Sequence, residues 1–393
     1  MKIRKILKRC TAAMLAAAIG MTTLAANVSA ATSGVSIGYT WNSSVNPTIK
    51  NRKNGVTGGV SGQYIKAGEQ ICRFSPSSTS DWAFCIEPAK SMQGASYKDW
   101  YTQNGFTKYD TFDLSDKNKA DSFAYWKSIG GTDGPMAKYL GLVQYYGYSS
   151  HKTGDYYAAT QCLIWELILG YRGHTQAGFG KCSDILWNDF TYPSGGWCTR
   201  SGVEKAYNDI VSNVKDHYKL PSAMRSTKAQ AKDEPNVMKY NAENLRYETK
   251  VTVPTSYVTA SSLAHNFSSL ESKLGSLIKS KFSGTFGKDY GLETEMSGTN
   301  TVYTIWSKER QFTSSGDSSI YVTESIPMQM KNSLKKQETL FANSYYQTCL
   351  LSTRLDPVVG YVGLASYNEP NLTVQKTLSL IHISEPTRQA EIS

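Results

Sequence analysis

The sequence predicts an α+β fold: a β-sandwich or barrel-like body carrying an inserted helical subdomain. Three observations predict it. Residues 31–80 alternate short apolar stretches with Gly, Ser and Asn clusters, the pattern of strands and turns. Residues 135–218 hold three stretches bounded by helix start and stop signals. From Lys250 onward, β-branched and aromatic runs return, divided by Gly/Ser/Asn turns. Strands, then helices, then strands are explained most simply by a β-structure with a helical insertion.

Residues 1–30 open the chain with Lys2, Arg4, Lys5, Lys8 and Arg9 and no acid, then an Ala-rich apolar run, then Val28-Ser29-Ala30. Charge, apolar run and small residues in that order read as a secretory signal peptide cleaved after Ala30. The apolar run is shorter than the roughly 20 residues that a membrane span needs. Residues 31–366 are expected to form the main domain, with the helical insertion at about 90–220 and a second β-rich part at about 240–366.

Within it, Trp82-Ala83-Phe84-Cys85-Ile86-Glu87 reads as a strand ended by Pro88. A period of two sends Trp82, Phe84 and Ile86 to one face and Ala83, Cys85 and Glu87 to the other. A helix over 135–146 starts with Pro135 in its first turn and stops near Gly147. A second runs from an Asp155 cap to Leu169, where Gly170 ends it. A third spans 203–218 and stops before Pro221. Strands follow at 251–253, 302–306, 320–323 and 358–362, and a polar linker begins at Tyr367.

Charge excludes one class of partner. The formal net charge is +10, of which the leader supplies five, leaving +5 on the mature chain. The basic residues are scattered, with no long Lys/Arg block, so no nucleic-acid partner is expected. Twenty-six tyrosines and 31 glycines suit a β-rich extracellular binding protein. Six cysteines follow the leader: Cys72, Cys85, Cys162, Cys182, Cys198 and Cys349. Their spacing is no compact disulfide framework, and without a CxxC pair no metal or other cofactor is expected. Cys182 and Cys198 flank a Trp/Pro/Gly-rich loop and are the expected disulfide.

Two residues invite chemistry. The stretch YYAATQCLIWELIL at 156–169 is apolar on nearly every side, so its helix should be buried. Gln161 shares a face with Tyr157, Ile164 and Ile168, and a buried carboxamide must be hydrogen-bonded. It either bridges to another element or props a reactive centre. Cys85 sits among bulky neighbours beside Glu87 and Pro88. It reads as a core thiol, a disulfide half or a nucleophile. A peptidase nucleophile needs a nearby His to form the thiolate. His151, His174, His217 and His265 all lie in polar or loop-like settings that do not mark a peptidase.

FCIEPAK at 84–90 and YYAATQCLIWELILG at 156–170, taken together, resemble the thioester-domain (TQXA-type) surface adhesins of Gram-positive bacteria. Thr160-Gln161-Cys162-Leu163-Ile164-Trp165 is similar to that family's helical motif, with Leu163 where Ala is usual. YQTCLL at 346–351, followed by Asp356-Pro357-Val358, resembles its closing stretch. The resemblance covers about 38–366 and implies an internal Cys–Gln thioester that binds target amines covalently. On that pattern Cys85 is the thioester cysteine and Gln347 the acyl donor. Gln161, Thr160, Trp165, Phe84 and Tyr346 support them, and Phe84, Tyr345 and Tyr346 flank the reacting pair. The reverse assignment, with Gln161 as donor, stays open. The implied partner is an extracellular protein presenting a lysine amine, on a host or microbial surface. The implied protein is cell-wall anchored, reacts once and is no enzyme. The alternatives are a papain-like peptidase or transamidase using Cys85, and a non-covalent adhesive module.

NLTVQKT at 371–377 resembles the opening strand of the B-type stalk domains of Gram-positive surface proteins, which places Lys376 as an isopeptide lysine. LSLIHISEPTR at 378–388 resembles a translated sequencing adapter. Residues 378–393, His382 included, are therefore expected to carry no biology, the protein being truncated at the start of the stalk.

Overall fold

The computed structural model describes residues 31–92, 98–110, 122–131, 134–259, 267–311, 322–328, 338–352, 355–356 and 358–366. The signal peptide, His265, the linker with Lys376, and residues 378–393 lie outside the described residues. The chain is α+β, with two six-stranded sheets and a set of helices. Among the described residues, no helix is long and apolar enough to cross a membrane.

The first sheet runs, in spatial order, Ser75–Pro76, Thr32–Trp41, Lys98–Tyr109, Glu338–Ala342, Cys349–Ser352, Phe84–Cys85. Every pairing in it is antiparallel. The second runs Tyr290–Ser297, Asn300–Ser307, Arg246–Pro254, Asn236–Asn241, Val358–Ser366, Val322–Met328. Only the Asn236–Asn241 and Val358–Ser366 pairing is parallel. Glu338–Ala342 and Cys349–Ser352, expected in the second β-rich part, pair instead into the first sheet. Hydrophobic pattern marks a segment as a strand but does not name its neighbour.

The Gly154–Leu169 helix is the axis of the first core. Every residue from Tyr157 to Leu169 is buried, as an all-round apolar helix requires. Its cap is Thr153, whose side chain accepts from Tyr156 N, not Asp155 as the sequence suggested. Asp155 accepts from Thr199 N instead (2.8 Å), tying this helix to the next. Gly170 ends it at φ 80°, and a Cβ there would meet Gly59 N at 2.3 Å. The following helix, Arg200–Asp216, starts earlier than expected because Thr199 caps it. It buries Val203, Ala206, Tyr207, Ile210 and Val214, one stripe at helical spacing. The Pro135–Gln144 helix runs into a π-turn over Tyr145–Ser149, where Tyr148 N donates to Thr160 Oγ1 (3.1 Å).

A separate core lies on the second sheet. Leu270, Leu274, Leu277 and Ile278 of the Leu270–Lys281 helix pack there with Val251, Val253, Tyr303 and Ile305. The sequence reading had no helix here.

Candidate functional site

Cys85 stands at the outer edge of the first sheet. Its two-residue strand pairs with Cys349–Ser352 in the register Cys85↔Cys349 and Leu350↔Phe84. Ile86 N donates to Thr348 O (3.0 Å), which makes 86/348 the hydrogen-bonded pair. Cys85/Cys349 is then the non-hydrogen-bonded pair, in which side chains come closest and backbone groups point outward. The outward groups of Cys85 have no further strand to meet. Gln161 takes that place: its Oε1 accepts from Cys85 N (2.9 Å) and its Nε2 donates to Cys85 O (2.8 Å).

The helix reaches the strand through residues four apart. Tyr157 OH donates to Ala83 O (2.6 Å) and Cys72 O (3.0 Å), and accepts from Phe74 N (3.2 Å). One turn later Gln161 holds Cys85, and one turn further Trp165 stands beside the Cys85 sulfur. That i, i+4, i+8 series is one face of a helix. Trp165 Nε1 is buried, with the Cys85 sulfur as the polar atom beside it. Thr160 faces away from Cys85: its Oγ1 donates to Tyr156 O (2.6 Å) and accepts from Tyr148 N.

Gln347 lies two residues before Cys349, just ahead of the Cys349–Ser352 strand, and one carboxyl, that of Glu69, acts on both its carboxamide and the Cys85 thiol. Gln347 is 2% exposed and its carboxamide is buried, with no backbone group paired to its Nε2. The Glu69 carboxyl lies beside its carboxamide, and burial pushes Glu69 up to about 7 against the opposing pull of Lys66. Thr348 Oγ1 donates to Glu87 Oε2 (2.6 Å), and Lys90 pairs with Glu87 Oε1 (3.0 Å).

Cys85 is fully buried. Burial raises its thiol pKa, the Glu69 and Glu87 charges add to that, and Trp165 and the Glu87 backbone oppose it. No histidine is among the groups that act on it. His217 is engaged elsewhere, with Tyr146 OH (3.0 Å) and Asp356 O (2.8 Å), and His151 stacks on Tyr156. Phe84 is buried and stacks on Tyr157 at 4.5 Å, and Tyr346 is partly buried against Phe106. Tyr345 is 83% exposed, so it does not shield the site as expected. Among the described residues, no group of three or more His, Cys, Asp or Glu is placed to hold a metal ion.

The expected Cys182–Cys198 disulfide is absent: all six cysteines after the leader are free thiols. Cys198 neighbours Cys162 and Asp155, whereas Cys182 Sγ lies against Asp184 O. A flexible-looking loop in sequence is no measure of where its ends point. Sequence reasoning also missed Glu69 and the Cys85/Cys349 pairing. Glu87 was in view beside Cys85, but nothing in its spacing signalled the bond to Thr348.

No family model matches this chain, and no curated protein matches it. Among solved structures the chain is similar to the thioester domain of the Staphylococcus aureus TIE protein. The two are 13% identical with a TM-score of 0.37, over 86% of this chain and 99% of that chain.

Proposed function

We propose that this chain is the head of a cell-surface adhesin that binds target amines covalently through a Cys85–Gln347 thioester. The observation that carries the reading is the state of the two glutamines. Gln161 has both amide atoms committed to the Cys85 backbone, whereas the buried Gln347 carboxamide is held by no such pair and lies beside the Glu69 carboxyl, which also acts on the Cys85 thiol. Attack by the Cys85 sulfur on the Gln347 side-chain carbon expels the amide nitrogen as ammonia, which carries away the thiol proton. Gln161 is then the positioning residue and Gln347 the donor.

A thioester is an activated acyl group that water destroys slowly and amines attack readily. Burial of Cys85 and Gln347 keeps bulk water off the bond, with Phe84 and Tyr346 on its flanks. A lysine amine of the target attacks the acyl carbon, forms an amide with residue 347 and returns the proton to the Cys85 thiol. The bond forms once per molecule, so the protein is a single-turnover binder. A thiolate-based peptidase is poorly served here, because Cys85 is raised in pKa and no histidine acts on it.

Intact mass tests the reading. The mature chain should be lighter by one ammonia than its sequence, methylamine should label Gln347, and Cys85→Ala should abolish both. A full-mass wild-type chain that takes up no amine rejects it. Labelling at Gln161 would keep the chemistry and reverse the residue assignment. Target binding unchanged by Cys85→Ala would favour a non-covalent module.

A further inference from the structure

We propose that Cys85 and Cys349 are a cross-strand disulfide site, and that this disulfide competes with the acyl bond for the Cys85 sulfur. The competition rests on the thioester reading of Cys85; the disulfide itself does not.

The geometry is that of the ladder. Cys85 and Cys349 are directly opposite in an antiparallel pair, so both side chains leave the same face. Theirs is the non-hydrogen-bonded kind of pair, fixed by the Ile86 N to Thr348 O bond next to it. Such pairs hold their Cα atoms about 4.5 Å apart, inside the roughly 4.4–6.8 Å that a disulfide spans. Both residues are fully buried free thiols, and Cys85 is among the groups that act on Cys349. Cys349 is left over by the acyl chemistry, which needs only one sulfur. Gln347 lies two residues ahead of Cys349 and shares the Glu69 carboxyl as a neighbour with Cys85, so on the thioester reading one sulfur has two bonding partners and can satisfy only one.

The co-reactant is a disulfide of the export compartment, either a small-molecule disulfide or that of a thiol oxidoreductase. Cys85 attacks one of its sulfurs and expels the first thiol. Cys349 then attacks the Cys85 sulfur of the mixed disulfide and expels the second. Two thiols of the protein are oxidised, one external disulfide is reduced, and the two protons leave on the two released thiols. Full burial makes this slow in the closed fold. It belongs to folding, or to opening of the two-residue Phe84–Cys85 strand at the sheet edge. The same step is open to the spent protein, in which amine attack has set the Cys85 thiol free.

The test refolds the mature chain from denaturant in two buffers, one with a phosphine reductant and one with reduced and oxidised glutathione. Intact mass and unreduced peptide maps are then read. In the reductant, the chain should lose one ammonia and label with methylamine at Gln347. In glutathione, a fraction should lose two hydrogens instead, yield a peptide linking Cys85 to Cys349, and resist methylamine. Cys349→Ala refolded in glutathione should recover the ammonia loss and give no linked peptide, while Cys72→Ala should keep the link. Recovery of Cys85 and Cys349 as free or singly glutathionylated thiols, or a link from either to Cys72, overturns the proposal. A linked peptide together with full mass in the reductant keeps the disulfide and rejects the acyl reading.

Discussion

Gln161 and Cys85 are joined by two hydrogen bonds, one to each backbone polar group of the cysteine, so a helix side chain completes the edge of a sheet. The strand is two residues long and has a partner on one side only. Removing the carboxamide leaves a buried N–H and a buried C=O unpaired, each at about 1–3 kcal/mol, besides the cavity. Gln161→Ala should therefore cost about 2–5 kcal/mol in urea unfolding and slow the loss of ammonia. A variant as stable as wild type that reacts at the wild-type rate would show that Gln161 does not position Cys85.

On the proposed thioester, Gln347 has to reach Cys85 from a fixed backbone position, so its length matters. Gln347→Asn keeps the carboxamide and withdraws it by one methylene. A misplacement of about 1 Å is enough to cost roughly 10²-fold in a positioned reaction. Refolded Gln347→Asn should stay at full mass for at least about 10² times longer than wild type, with near-native stability. Ammonia loss at the wild-type rate would place the acyl donor elsewhere.

How much of this was legible varies by residue. The burial of the Gly154–Leu169 helix was visible because apolar residues lie all round it, and Gly170 marked its end. The Thr153 cap was hidden by Asp155, an equally good cap residue, and which one wins depends on tertiary partners such as the Asp155–Thr199 bond; Thr199 was legible as a cap ahead of Val203. The Leu270–Lys281 helix carries its own signal, Leu270, Leu274, Leu277 and Ile278 at helical spacing, set among β-branched and aromatic runs that read as strands. At the site, Cys85, Gln161 and Gln347 were in view through short motifs. Glu69 and the Cys85/Cys349 register were not, because both depend on long-range pairing that local pattern does not encode.

Gly147 and Thr160 meet without room between them. A Cβ on Gly147 would lie 2.1 Å from Thr160 Oγ1, the atom that accepts from Tyr148 N. Gly147→Ala must push the π-turn off the helix, at a cost of about 1–3 kcal/mol typical of overpacking. Pairing it with Thr160→Ala removes the clashing hydroxyl, so the double variant should lose less than the two single losses combined. Strict additivity in urea unfolding would refute the contact.

Glu166 and Arg172 form a buried ion pair (2.8 Å), with Tyr207 OH and Leu186 N also bonded to the carboxylate. It ties the helix that carries Gln161 and Trp165 to the loop after it. Arg172→Ala leaves a buried carboxylate with no counter-charge, and breaking such a pair costs about 3–5 kcal/mol. Replacing both partners by apolar residues should cost less than Arg172→Ala alone. Urea midpoints for the single and double variants decide it: a double variant at least as damaged as the single would mean the ion pair itself stabilises the fold.

Glu69 gives the site a pH dependence whose sign follows from burial. Its folded pKa is raised from 4.5 to about 7, chiefly by desolvation, with Lys66, Gln347 and the Gln70 backbone pulling the other way. Between those values the folded chain holds a proton that the unfolded chain has lost. Stability therefore falls as pH rises through that window and levels off above it. At about 1.4 kcal/mol per pH unit the loss is about 3 kcal/mol. Glu69→Gln cannot titrate and should flatten that part of the profile, so the variant gains on wild type as pH rises from about 5 to about 8. Parallel profiles for the two chains would mean that the Glu69 carboxyl, although 6% exposed, is already ionised in the folded protein throughout this range.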